Sequence, residues 1–253
     1  MNFFYTLNGR KLKQLLIIVV AALFSAGILY VEQDQLAVFS TKDGPRAIDK
    51  VNTKEKKIAL TFDISWGETK AMPILEILKK HHLNKTTFFL SGSWVEKHPD
   101  IAKRIAEDGH EIGLHGYRYQ NYTEWEDAKV QQDIYLAQDA LKDITKENSK
   151  LLRPPNGSFN KRVLTISEKL GYTIVHWSID SEDWKNPGTN QIIKNVTENV
   201  KGGDIVLLHA SDSAKQTEKA LPVIIDDLKK RGFSFVTVSE LIADTNTKSK
   251  EIN

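Results

Sequence analysis

Five short apolar runs in this chain of 253 residues end on, or just before, an acid, a histidine or an arginine. In residues 57–67, KIALTFDISWG, Ile58, Leu60 and Phe62 alternate with Ala59 and Thr61, and the run stops at Asp63. The pattern recurs in EIGLHG, which reaches His115, and in LLRPPNG, with Arg153, Asn156 and Gly157. It recurs again in YTIVHWSID, which reaches Asp180 and leads to Asp183 and Trp184, and in DIVLLH, with Leu207 and His209. Carboxylates, imidazoles and guanidinium groups are the side chains of proton transfer and charge stabilisation. Runs of β-branched and aromatic residues of this length read as buried strands. The carboxyl ends of parallel strands are where α/β folds gather their chemistry. A single Asp in such a place is ordinarily the cap of the next helix; five polar strand ends in one chain read as a site.

The segments between must bring these ends together. From residue 57 onward strand and helix signals alternate. Strands are expected at 57–63, 85–92, 111–116, 151–153, 172–180, 204–209 and 233–238. A helix is expected through Ile74, Leu75, Leu78 and Leu83, and another at 99–108 with Pro99 at its start and Gly109 at its stop. A long amphipathic helix is expected at 123–145, opened by the capping box Thr123-Glu124-Trp125-Glu126. Further helices run through Val163, Ile166 and Leu170, over 192–200 and over 221–231, with a short one at 240–243. Seven strands alternating with helices imply parallel strands joined by helical crossovers. An open doubly wound sheet and a barrel both satisfy that pattern. The polar ends favour a barrel, in which they converge on one mouth.

Composition narrows the function classes. With 35 basic and 33 acidic residues the net charge is +2, too balanced for a phosphate track, and nucleic acid is not an expected partner. The chain has no cysteine, which excludes disulfides and thiolate metal sites. Arg10, Lys11 and Lys13 precede residues 15–31, which carry no charge over 17 residues. Such a segment is just long enough to span a bilayer, with the basic flank in the cytoplasm. It reads as a membrane anchor or, with a poorly formed cleavage site at Ser25-Ala26-Gly27, a signal segment. The expected organisation is a cytoplasmic stretch (1–14), the anchor (15–31), a polar linker (32–56), the α/β domain outside the cytoplasm (57–243) and a polar tail (244–253).

TFD, a histidine with a position four residues on, RPPNG, DSEDW and LLH, in this order, resemble the polysaccharide deacetylases (the NodB homology domain, carbohydrate esterase family four). The resemblance covers about residues 57–243 and implies an irregular (β/α) barrel that removes acetyl groups from sugars, commonly in chitin or peptidoglycan. TFDISWG, where TFDDG is more usual, is similar to sporulation members, so spore peptidoglycan is an expected setting. By this resemblance Asp63 is the general base and Arg153 the partner that keeps it ionised. His209 is the general acid and Asp183 the carboxylate that raises its pKa. Trp184 and Leu207 wall the acetyl pocket, and the backbone N–H of Asn156 stabilises the oxyanion.

The resemblance also implies a divalent metal, zinc, held by an Asp directly after the base and by two histidines four residues apart. Here those positions are Ile64, His115 and Tyr119. Ile binds no cation, and neutral phenol is a poor ligand. His115 alone falls short of the three or four protein ligands a zinc site takes, so no tightly bound cofactor is expected. Two functions follow: hydrolysis of acetyl groups from amino sugars of cell-wall or spore peptidoglycan with an incomplete metal site, or a catalytically inactive module on the same fold that binds glycan or protein.

Overall fold

The computed structural model describes residue 19 and residues 40–41, 44–146 and 148–243. The chain divides into two compact units, Met1–Ala37 and Val38–Asn253. Within the first, only Val19 is described, so the expected membrane segment at 15–31 lies outside the described residues, as do residues 1–14 and the tail from 244. Among the described residues no helix is long and apolar enough to cross a membrane.

The second unit is built on one parallel sheet. A small antiparallel pair, β1 (Ser40–Thr41) and β2 (Gly44–Pro45), precedes it. At its centre is β3 (Lys57–Ile64), paired with β4 (Thr87–Leu90) on one side and β9 (Ile205–His209) on the other. Beyond β4 lie β5 (Glu111–Leu114), β6 (Leu151–Leu152) and β7 (Thr173–Ile174); beyond β9 lies β8 (Ile179–Asp180). β10 (Ser234–Phe235) pairs with the first two residues of β3. The crossovers are the helices α1 (Ala71–Lys80), α2 (Gly92–Lys97), α3 (Pro99–Glu107), α4 (Asp127–Thr145), α5 (Lys161–Lys169), α6 (Thr189–Thr197) and α7 (Thr217–Lys230).

Alternation along β3 sorts its side chains into two layers, as the strand period of two requires. Ile58, Leu60, Phe62 and Ile64 belong to the large cluster shared with the helices. Ala59 belongs to a smaller one with Phe89, Leu151, Val175 and Ile205. Asp63 shares the parity of Ala59, which places it on the inner face at the strand's carboxyl end.

The strand expected at 172–180 is not continuous. Its two ends, β7 and β8, lie at opposite edges of the sheet order, and residues 175–178 cross between them. Val175 N–H donates to Leu152 O at 2.9 Å and Ser178 N–H to Ile205 O at 3.0 Å, so one segment bonds toward both ends of the sheet order, which curls into a half-barrel. The break has a visible cause: Arg153 donates from Nε to Val175 O and from Nη2 to His176 O, the carbonyls in the middle of the expected strand.

Two other expectations are corrected. The capping box at 123–126 does not form. Thr123 Oγ1 instead pairs with Ser158 Oγ at 2.9 Å, residues Tyr122–Glu124 form a 3₁₀ turn, and the helix begins at Asp127. The polar stretch at 32–56 is not a linker throughout. Ile48 bridges to Val175, and Val51 N–H donates to Gly203 O at 2.8 Å, so residues 48–51 are built into the barrel wall.

Candidate active site

The parallel topology fixes which side chains meet. Asp63 on β3 stands in register with His209 on β9, and His209 closes the strand that also carries Leu207. His115 follows β5, Arg153 follows β6, and Asp180 ends β8. All lie at carboxyl ends of strands around one cavity of about 380 Å³. Asp63, His115, Tyr119, Asn156, Trp184 and His209 line it, with Asp180 and Leu207 among the rest of the wall. Arg153 and Asp183 stand behind it, fully buried.

Arg153 is the hub of the acidic half. Its Nη1 donates to Asp63 Oδ1 at 2.7 Å and to Thr61 Oγ1 at 2.8 Å, and its plane lies over the Phe89 ring at 4.1 Å. With the two carbonyls of residues 175 and 176 the guanidinium is held on every side, which a buried cation requires. Burial pulls the Arg153 pKa down while Asp63 raises it, with a net lowering. At Asp63 burial pushes the carboxyl up, but the charge of Arg153, with that of His209 and the Arg153 hydrogen bond, outweighs it and the pKa falls below the usual range. Asp63 is therefore ionised at neutral pH.

His115 has a fixed tautomer. Its Nδ1 lies 2.8 Å from Arg153 O, a carbonyl that can only accept, so Nδ1 carries the proton. Burial lowers its pKa, against the pull of Asp63, and keeps the ring neutral. Its Nε2 then presents a lone pair 3.6 Å from Asp63 Oδ2.

The basic half is independent of Arg153. Asp183, on a 3₁₀ turn, accepts His209 Nδ1–H at 2.7 Å, His209 N–H at 2.8 Å and Thr217 Oγ1–H at 2.6 Å. Burial depresses the His209 pKa, but the hydrogen bond and charge of Asp183, with Asp63 and Asp180 beyond, win and the net shift is upward. With Nδ1 held by Asp183, Nε2 is the His209 nitrogen left for the cavity, and the upward shift favours its protonated form.

The rim is aromatic. Trp184 and Trp66 line the cavity while remaining 48% and 54% exposed, and Trp177 forms part of its wall. Trp177 explains Gly157, whose φ is +63°: a Cβ there would stand 2.4 Å from the Trp177 ring. Asn156, the residue before, also has a positive φ of 56°.

The three family metal positions do not assemble a zinc site. Ile64 is fully buried in the helix-facing apolar cluster and does not line the cavity. Tyr119 does line it, with its ring 5.2 Å from that of His115. Its hydroxyl is held protonated by burial and by the charge of Asp63, against a weaker pull from a hydrogen bond with Ser65. Among the described residues no group of three or more His, Asp or Glu side chains could hold a metal ion. A hydrocarbon and a protonated phenol in place of a carboxylate and an imidazole do not fit the family's cation.

Five of the expected site residues, Asp63, His115, Arg153, Asp183 and His209, meet as two hydrogen-bonded clusters, with Asn156, Trp184 and Leu207 around the same cavity. Thr61, Trp66, Trp177 and Thr217 carry no comparable mark in the sequence. Thr61 and Trp177 sit inside strand runs, Thr217 opens a helix, and Trp66 looks like any loop aromatic.

A family model described as polysaccharide deacetylase matches residues 50–175. The chain is 38% identical over 196 residues to the peptidoglycan-N-acetylglucosamine deacetylase of Bacillus cereus, covering 76% of this chain and 91% of that one. The structure of Bacillus subtilis PdaA, a family 4 carbohydrate esterase, matches with a TM-score of 0.73 at 32% identity, over 79% of this chain and 86% of the other. So does BA3943 of Bacillus anthracis, described as a CE4 family pseudoenzyme, with a TM-score of 0.73 at 31% identity over 78% and 69%. A BA3943 mutant is described as having restored enzymatic activity. With the barrel, the ordered motifs and these likenesses together, the chain belongs to the polysaccharide deacetylase family, carbohydrate esterase family 4.

Proposed function

We propose that this protein hydrolyses the acetamide of N-acetylated amino sugars in cell-wall or spore peptidoglycan. One observation carries the reading: Asp63 and His209 stand in register on adjacent strands, open into one cavity, and are each backed by a separate buried partner. A base kept ionised beside an acid kept protonated is the arrangement amide hydrolysis needs, because the attacking water must lose a proton and the leaving amine must gain one. Water donates to Asp63 Oδ2 and adds to the acetyl carbon. The tetrahedral intermediate collapses with cleavage of the C–N bond, and His209 Nε2–H protonates the departing nitrogen. The products are acetate and the free amino sugar. Trp184, Leu207 and the aromatic rim supply apolar surface for the acetyl methyl and a pyranose face.

A second reading is favoured by Ile64 and Tyr119: the cavity holds an acetylated glycan without turnover. Acetate release from N-acetylated peptidoglycan fragments, measured beside direct binding of the same fragments, separates the two. Release that disappears in Asp63→Asn and His209→Ala supports the hydrolase; binding without release in the unaltered chain supports the module.

Residues 15–31 support a setting outside the cytoplasm on a membrane tether, with the basic flank inside. Fractionation of full-length protein with membranes is the expected outcome. A soluble mature form beginning shortly after Gly27 would contradict the tether.

A further inference from the structure

Hydrolysis or recognition of an acetyl group needs a hydrogen-bond donor for its carbonyl oxygen, and, His209 being reserved for the leaving nitrogen, the other groups packed on Asp63 are poor ones. His115 spends its N–H on Arg153 O and faces the cavity with a lone pair. Arg153 is consumed by Asp63, Thr61 and the carbonyls of Val175 and His176. Ser211 Oγ turns back to Asp63 O at 3.4 Å. The Tyr119 hydroxyl meets Ser65, in a bond that pulls its pKa down and so has Ser65 as the donor, which leaves the phenol proton for another acceptor. It lines the cavity next to His115, and the charge of Asp63 reaches it.

Its placement is built and strained. Tyr119 has a φ of 53°, a left-handed conformation that is unfavourable for a bulky residue and persists only where the surroundings impose it. The surroundings here are Asp133, wholly buried on α4. It accepts Tyr117 N–H at 2.7 Å, Arg118 N–H at 3.2 Å and Tyr122 O–H at 3.0 Å, and so grips the loop on both sides of Tyr119. Asn156, whose side-chain amide donates to Asn121 Oδ1 on the same loop as Tyr119 at 2.9 Å, is the other non-glycine residue on the cavity wall with positive φ. Strain of this kind collects at ligand sites.

We propose that the Tyr119 hydroxyl donates a hydrogen bond to the acetyl carbonyl oxygen of the bound amino sugar, forming with the Asn156 N–H a two-donor oxyanion site. The assignment rests on the glycan reading above and deepens it, and it holds whether or not the bound sugar turns over. A neutral O–H that sharpens its bond as charge develops on the oxygen stabilises the intermediate without a cation.

Tyr119→Phe keeps the ring and removes only the oxygen. Affinity is measured for an N-acetylglucosamine tetramer and for its fully de-N-acetylated counterpart, with a thermal melt of each protein. The unaltered chain should prefer the acetylated tetramer. The variant should lose that preference at least tenfold, bind the deacetylated tetramer as before, and melt at the same temperature; any acetate release should fall by about 10²–10³-fold, as for other single oxyanion donors. Undiminished preference in the variant would overturn the assignment while leaving the glycan reading intact. A lower melting temperature with equal loss of both ligands would show a packing role and overturn it too. If the unaltered chain binds neither tetramer, the glycan reading fails and this assignment with it.

Discussion

At the scale of single residues, the site is two charge pairs with different purposes. Arg153 keeps Asp63 a carboxylate. Replacing it with Ala strands a buried anion and should cost about 3–5 kcal/mol in chemical denaturation, while raising the Asp63 pKa. Because the folded Asp63 pKa is lowered, its contribution is present above the ordinary carboxylate pKa near 3.9 and lost only as pH falls through the folded value. His209 behaves in the opposite sense. Its folded pKa is raised, so the stability it contributes is complete below the unfolded value near 6.5 and disappears as pH rises through the folded one. Asp183→Asn should therefore flatten the stability profile above pH 6.5 and move the alkaline limb of acetate release downward. A pH titration of both properties checks this, and an unmoved limb would remove Asp183 from its place behind the acid. These residues were legible because each closes an apolar run. Thr61 and Thr217, which complete the two pairs, were not, since a threonine in a strand or at a helix start has many commoner reasons to be there.

At the scale of elements, periodicity found the sheet and missed what interrupts it. The parallel strands and most helices follow directly from alternation and from Gly and Pro punctuation. The strand at 172–180 reads as one because its residues are uniformly strand formers; it divides because Arg153, remote in sequence, takes its carbonyls. The capping box failed for a related reason, in that Thr123 found Ser158 across space instead of the helix it precedes. α2 has only six residues, too few for a periodic signal. A further consequence concerns the amino-terminal end of the barrel. His110 sits just before β5 and pairs through Nδ1 with Thr86 Oγ1 at 3.0 Å, just before β4. Burial pushes its pKa down to about 4. The unfolded chain then binds the extra proton between about pH 6.5 and 4, so stability falls with acidification across that window, by on the order of 3 kcal/mol at about 1.4 kcal/mol per pKa unit. His110→Gln should remove most of that slope in denaturation between pH 7 and 4; an unchanged slope would place the acid sensitivity elsewhere.

At the scale of the whole molecule, the fold converts scattered strand ends into one mouth. The crossing of residues 175–178 between the two ends of the sheet order brings Trp177 against Gly157 and sets the RPPNG loop against the cavity. That convergence was inferable from where the polar residues fall. The packing of residues 48–51 into the wall was not, because the stretch is polar and short. The family frame is retained while its metal positions have changed. With Ile64 in the apolar layer and Tyr119 protonated, the chain after dialysis should carry well under one equivalent of zinc by elemental analysis, and a stoichiometric amount would show that donors outside the family set hold it. The central claim is that Asp63 and His209 act as a working base and acid on an acetylated amino sugar. Its most direct test is quantification of acetate released from N-acetylated peptidoglycan fragments by the unaltered protein, Asp63→Asn and His209→Ala. The account predicts measurable release by the unaltered protein, lost in both variants, with an equal amount of free amine appearing on the sugar. Fragment binding with no acetate from the unaltered protein, or release that survives both substitutions, would contradict it.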